Sequence, residues 1–215
     1  MASDAIIAQK LLQINAIKLR PQTPFTWASG IKSPIYCDNR ITLSYPEVRK
    51  IVKAAFVERA GNYPSANVIA GVATAGVAHG ALLADALDLP YVYVRSKAKE
   101  HGRQNLIEGE LPADAKVIVI EDLISTGGSS IQAVNALREA GAEVVIVLAI
   151  FSYGFEKARQ NFQKIACPFE TLSNYKVLLK EAETANFISE KEKNILEEWN
   201  ASPESWYDNH FTKKN

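Results

Sequence analysis

The stretch VIVIEDLISTGGSS, residues 117–130, runs four β-branched apolar residues into two acids, a Ser/Thr/Gly loop and a helical pattern. A short unbroken apolar run of this kind marks a strand buried on both faces, as in a parallel sheet covered by helices. The order predicts Glu121 and Asp122 at the carboxyl end of that strand, where open α/β sheets bind their ligands. The loop beyond opens a helix. Unpaired N–H groups and the helix dipole make such a position an anion cradle. Carboxylates would repel a phosphate unless the ligand also carries hydroxyls or a metal, as a phosphorylated sugar does. Neighbouring strand residues point to opposite faces, so the two acids are expected to do different work. The plainer reading of the pair is an acidic strand end that solvates a turn.

Working outward, strands and helices alternate. Ile6, Ile7, Leu11, Leu12 and Ile14 predict an amphipathic helix at the N-terminus. Ser44 with Glu47 reads as a capping box, continued by the stripe Val48, Ile51, Val52, Ala55 and Phe56. Residues 67–72 predict a buried strand, followed by the small-residue turn ATAG and a helix through Leu87. Residues 91–95 predict a further strand, and residues 97–110, without apolar periodicity, a long loop. Beyond the opening stretch come a helix over about 129–140, Gly141 as its C-cap, and a strand over 143–151. The tail predicts a helix over 175–182 and another capped by Ser189 with Glu192. The fold class is α/β, with a central, mostly parallel sheet flanked by helices, in a single domain over residues 1–215.

Composition narrows the function. With 24 basic and 24 acidic residues the formal net charge is zero, which argues against a nucleic-acid coat or a polybasic membrane binder. No apolar run approaches membrane-spanning length, and the opening residues carry an acid early and a lysine late, the reverse of a secretory signal. Cys37 and Cys167 lie far apart without metal-type spacing, so reduced thiols in a cytoplasmic chain are expected. Neither a Walker loop nor a GxGxxG turn is present. His79, on a predicted helix, and His210, in the tail, read as structural or solvent-facing.

Two further segments carry chemistry. RSKAKEHGR, residues 95–103, places Arg95, Lys97, Lys99 and Arg103 together in an otherwise neutral chain, as suits a ligand with many phosphate charges. A solvated surface loop is the plainer reading. FTWASGIKSPIYCDNR, residues 25–40, is an aromatic loop punctuated by Gly and Pro, for which packing alone is an adequate account.

Two acids followed by Leu-Ile-Ser-Thr-Gly-Gly closely resemble the phosphoribosyl-pyrophosphate (PRPP) motif of type I phosphoribosyltransferases. The basic segment is similar to the catalytic loop of the orotate phosphoribosyltransferases, with Arg95, Lys99 and His101 at its matching positions. Ser29, Gly30, Ser33, Pro34, Tyr36, Asp38 and Arg40 resemble the N-terminal hood of the same enzymes. The resemblance runs from about residue 5 to residue 155. It implies a type I phosphoribosyltransferase fold with a small hood, largely from residues 1–40, and C-terminal helices within 173–200.

The resemblance also implies an activity: transfer of 5-phosphoribosyl from PRPP to orotate, giving orotidine 5′-monophosphate and pyrophosphate in pyrimidine (UMP) biosynthesis. Lys99, His101, Glu121 and Asp122 would be catalytic. Arg95, Lys99, His101, Glu121, Asp122, Leu123, Ile124, Ser125, Thr126, Gly127, Gly128 and Ser129 would bind PRPP, and Ser125 orotate. Mg²⁺ would be held mainly by PRPP and water, with no direct protein ligand. A homodimer would bring loop 95–110 to the other subunit's site. Ala28 and Ala75 stand where many relatives have lysine, Ser96 where many have another, and FSYGFEKAR lacks the particular arginine that some members use against orotate. The ATAG turn would offer backbone amides to pyrophosphate. Alternatives are a phosphoribosyltransferase for another base and a PRPP-binding regulatory protein.

Overall fold

The computed structural model describes residues 4–27, 30–96 and 106–212. Helix α1 (Asp4–Gln13) buries Ile7, Ala8, Leu11 and Leu12 along one stripe, with Asp4 in its first turn and Lys10 in its last, as the helix dipole favours. Four short strands follow: β1 (Ile17–Leu19), β2 (Phe25–Thr26), β3 (Lys32–Ser33) and β4 (Ile35–Cys37). They form two antiparallel ribbons, β1 with β4 and β2 with β3. A tight helical turn over Asn39–Ser44 leads into α2 (Pro46–Ala60). The capping box expected from Ser44 and Glu47 does not form. Pro46 takes the first helical position, where its missing N–H costs nothing, so Tyr45 becomes the N-cap and Ser44 closes the preceding turn.

The central sheet begins with β5 (Val68–Val72), α3 (Ala75–Leu87), β6 (Tyr91–Val94) and β7 (Ile107–Glu108). It continues with β8 (Lys116–Ile124), α4 (Gly128–Glu139), β9 (Glu143–Ser152), α5 (Glu156–Lys164) and β10 (Phe169–Asn174). Helices α6 (Tyr175–Thr184) and α7 (Glu190–Ala201) complete the order, and α7 carries the expected Ser189/Glu192 capping box. Sheet order is β10-β9-β8-β5-β6-β7, parallel except for the edge strand β7. β7 shortens the long loop expected over 97–110; residues 97–105 lie outside the described residues.

The alternation of β8 divides the core. Ile118 and Ile120 face a cluster built with α1, α2, α3, α6 and α7, whereas Val117 and Val119 face α4 and α5. Each such buried side chain contributes about 1.5–3 kcal/mol, so a one-residue register slip is strongly disfavoured. α5 and β10 escaped the sequence reading because their burial is thin. Only Ala158 and Phe162 of α5 and Leu172 and Ser173 of β10 are buried, so each offers just two inward positions among polar neighbours.

Helix α3 lies directly on β5 and β8. A Cβ on Gly76 would collide with the Ile120 carbonyl oxygen, and one on Gly71 would approach the backbone of Val77 to 2.9 Å. Tyr91 Oη locks the contact by donating to the Val77 carbonyl at 2.7 Å. Gly76→Ala should therefore lower stability by about 1–3 kcal/mol, because relieving the clash means moving β8 itself. Gly128→Ala, with no atom near its Cβ, should be neutral or gain up to about 1 kcal/mol. Denaturant midpoints of the two variants check this ordering.

Candidate active site

Strand β8 outruns its neighbour. β5 pairs with it only as far as Ile120, while β9 accompanies it to Ile124. The acid pair is thus inside the strand and not at its end, on a segment with one edge uncovered. The Asp122 peptide faces that edge and is satisfied by side chains. Its N–H donates to Glu121 Oε1 at 3.1 Å, and its carbonyl accepts from Asn39 Nδ2 at 2.7 Å.

The Cβ atoms of the two acids leave opposite faces of the strand, yet their carboxyl groups come within hydrogen-bonding reach of each other. Glu121 is buried, 4% exposed, and its Oε2 accepts from Ser129 Oγ at 2.9 Å and Ser130 Oγ at 3.1 Å, which ties β8 to the first turn of α4. Asp122 is half-buried and turned toward the segment 37–40 and Tyr153. Burial, reinforced by the neighbouring Asp122 charge, pushes the Glu121 carboxyl up to about 8. Burial also raises Asp122, against the pull of hydrogen bonds and the Arg40 charge. The pair therefore retains a proton near neutral pH. Among the described residues no group of three or more His, Cys, Asp or Glu side chains is placed to hold a metal ion. The half-buried Asp122 carboxylate fits a hard cation that keeps most of its oxygen ligands from elsewhere.

Beyond Ile124 the chain turns through Ser125, Thr126 and Gly127. Gly127 has φ +84°, and a Cβ there would meet the Phe162 ring at 2.7 Å, so glycine is required twice over. Asn161 Nδ2 holds the Thr126 carbonyl at 3.1 Å. No side chain caps α4, which leaves its first-turn N–H groups available to an anion. Leu123 is partly buried against the core, and Ile124 is fully buried and can meet a ligand only through its backbone. At the ATAG turn the Ala73–Thr74 peptide is cis and the Ala73 N–H donates to the Val94 carbonyl at 2.8 Å. Close packing alone accounts for the glycine of that turn, Gly76.

Residues 25–27 and 30–40 come down on this crevice. Asp38 and Arg40 form a bidentate pair at 2.6 and 2.8 Å, which holds the Asp38 carboxyl below its usual range. Cys37 Sγ donates to Asn39 Oδ1 at 3.4 Å; burial, with Asp122 and Asp38 nearby, pushes the thiol well up. Trp27 stacks on Tyr153 at 5.5 Å, Tyr153 on Phe155 at 5.4 Å, and Trp199 of α7 meets all three edge-on. Asn200 Nδ2 donates to the Tyr153 carbonyl at 2.8 Å. A cleft of about 590 Å³ opens beside them, lined by Trp27, Ile31, Ser125, Thr126, Phe155 and Asn200 among others.

Sequence reasoning therefore placed Glu121, Asp122 and residues 123–129 together. It missed Asn39, Tyr153, Trp199 and Asn200. None of the four carries a local sequence signal for its place, because each depends on contacts with residues far away in the chain. Arg95 stands at the root of the basic segment. Its N–H donates to the Leu106 carbonyl at 2.8 Å, and its guanidinium pairs with Glu108 at 3.3 Å. Lys99 and His101, like Ala28 and Ser29, lie outside the described residues. His79 is buried on α3, bonded to Thr42, and His210 stacks on Trp206, so neither enters the crevice.

A parallel sheet whose central strand carries an acid pair into a Ser/Thr/Gly loop at a helix start defines a phosphoribosyltransferase, and the family model for the phosphoribosyl transferase domain matches residues 42–186. The chain is 51% identical over 207 residues to the orotate phosphoribosyltransferase of Listeria monocytogenes, covering 96% of this chain and 99% of that one. It is 52% identical to that of Bacteroides fragilis, covering 94% and 96%. The crystal structure of orotate phosphoribosyltransferase from Aeropyrum pernix superimposes with a TM-score of 0.74 at 27% identity, covering 85% of this chain and 99% of that one. The chain belongs to the orotate phosphoribosyltransferase family, which are pentosyltransferases.

The acid pair makes stability depend on pH. Below the ordinary value of 4.5, Glu121 is protonated in folded and unfolded chains alike and its burial adds no penalty. From there to about 8 the unfolded chain releases a proton that the folded chain keeps, so stability falls as pH rises, by up to about 1.4 kcal/mol per pH unit. Glu121→Gln imitates the neutral acid. Its thermal midpoint relative to the native protein should rise between about pH 5 and about pH 8.5; a constant difference would show that Glu121 ionises normally.

Proposed function

We propose that the chain transfers the 5-phosphoribosyl group of PRPP to orotate, giving orotidine 5′-monophosphate and pyrophosphate. The observation that carries this reading is the junction of the acid pair, the uncapped start of α4 and the segment 25–40 around one crevice. The N–H groups of residues 125–129 hold the 5′-phosphate. Asp122 meets the ribose hydroxyls, with Glu121 behind it holding strand and helix together. Ile124 contributes main chain only.

Breaking the bond at the anomeric carbon leaves positive charge on the ribosyl group, as in glycoside chemistry, and the acid pair favours that charge. No covalent nucleophile is required. Arg95, Lys99 and His101 favour the negative charge that gathers on departing pyrophosphate. The ATAG turn offers it backbone amides. Asp122 would lie beside a Mg²⁺ ion held mainly by oxygens of PRPP and water, which would supply further charge neutralisation. Orotate lies under the hood against Ser125, with Trp27 and Phe155 supplying apolar walls in place of the lysines and arginine absent from this chain. The enzyme acts as a cytoplasmic homodimer in which residues 95–110 reach the partner's crevice. No helix among the described residues is long and apolar enough to cross a membrane.

Loss of orotate absorbance that requires PRPP tests the reaction directly. Activity with uracil or a purine and none with orotate would overturn the choice of base. Asp122→Asn should lower kcat/KM for PRPP by about 10²–10³, comparable with removal of one preorganised charge-stabilising group. Lys99→Ala should lower kcat by orders of magnitude at unchanged thermal midpoint. Mixed dimers of the Lys99→Ala and Asp122→Asn chains should recover part of the activity; verified heterodimers without rescue would place each site within one chain.

A further inference from the structure

Where β5 stops, the Asp122 peptide has lost its neighbouring strand, and Asn39 stands in the vacated place. Asn39 is fully buried and both its amide groups are engaged: Nδ2 donates to the Asp122 carbonyl, and Oδ1 accepts from Cys37 Sγ. Its own carbonyl accepts from Thr42 Oγ1 at 2.6 Å. That bond uses the only hydroxyl proton of Thr42. The 3.2 Å contact between Thr42 Oγ1 and His79 Nε2 then requires the imidazole to donate from Nε2. Burial keeps His79 neutral, its value lowered to about 4. A directed chain of hydrogen bonds thus runs from His79 on α3 through Thr42 and Asn39 to the strand that carries the acid pair.

We propose that Asn39 is a positioning residue for Asp122: it replaces the missing strand partner and fixes the peptide from which the ribose-facing carboxylate projects. Thr42 and His79 hold Asn39 in that place. The inference rests on the transferase reading of the same crevice. An amide is suited to the position because it donates to the carbonyl without adding a third charge beside Glu121 and Asp122.

The test is steady-state kinetics with both substrates varied, alongside thermal midpoints and calorimetric PRPP binding, on Asn39→Ala, Thr42→Val, His79→Gln and His79→Leu. Asn39→Ala should lower kcat/KM for PRPP by about 10–100-fold, the scale expected for misplacement of a reacting group by about 1 Å, and weaken PRPP binding. KM for orotate should stay within about threefold, a split that general destabilisation would not produce. His79→Gln, whose amide nitrogen can take the place of Nε2, should keep near-native kinetics, while His79→Leu should show an intermediate loss for PRPP. Unchanged PRPP kinetics in folded Asn39→Ala, or equal rises in KM for both substrates, would overturn the proposal. If Asn39→Ala fails to fold, the near-isosteric Thr42→Val decides, a raised KM for PRPP supporting the proposal and an unchanged one overturning it. If the native protein turns no orotate over, the transferase reading fails, and calorimetric PRPP binding by native and Asn39→Ala protein still decides the positioning role.

Discussion

The arrangement of this protein depends on one mismatch of length: β8 continues past Ile120 without β5 beside it. A buried strand cannot leave its N–H and C=O groups unpaired, since each such group costs about 1–3 kcal/mol. The uncovered edge is therefore closed by side chains, Glu121 on the N–H of Asp122 and Asn39 on its carbonyl. Both closures have consequences. The first turns a carboxylate back into the protein, where it collects the hydroxyls of Ser129 and Ser130 and sets the start of α4. The second draws the N-terminal ribbons and the turn after them onto the same point. The crevice that remains is where an α/β sheet of this kind accepts a ligand.

Electrostatics and packing then act together. Two acids in sequence, both largely withdrawn from water, keep a proton between them that an exposed pair would release. A ligand that brings hydroxyls and positive charge to Asp122 would change that balance, which couples binding to ionisation. On the outer side, Trp27, Tyr153, Phe155 and Trp199 fasten the N-terminal segment to α7, with Trp199 fully buried. The tail thereby becomes a structural partner of the crevice mouth, and Asn200 lines it.

Much of this was legible in the chain. The run Val117, Ile118, Val119, Ile120 reads as a strand buried on both faces, and the acids and Ser/Thr/Gly loop beyond it suit a ligand that carries both hydroxyls and phosphate. The small residues of the ATAG turn announced close packing, which Gly76 against Ile120 realises. What escaped depended on contacts far apart in sequence. Asn39 carries no local signal for its bond to Asp122, 83 positions away. Trp199 reads as one apolar position on an amphipathic helix, and nothing nearby says that Trp27 will lie against it. The Ser44/Glu47 pattern misled because the fixed φ of Pro46 outweighs a side-chain cap. β10 was invisible because an edge strand that is mostly half-buried need not be apolar.

The most direct test of the account is a crystal structure of the protein with orotidine 5′-monophosphate bound. The 5′-phosphate should lie on the N–H groups of residues 125–129 at the start of α4, the ribose hydroxyls against Asp122, and the pyrimidine between Ser125 and the segment 25–40, with the Asn39–Asp122 bond intact. A nucleotide seated with its phosphate away from the start of α4, or with Asp122 facing no ribose hydroxyl, would contradict it.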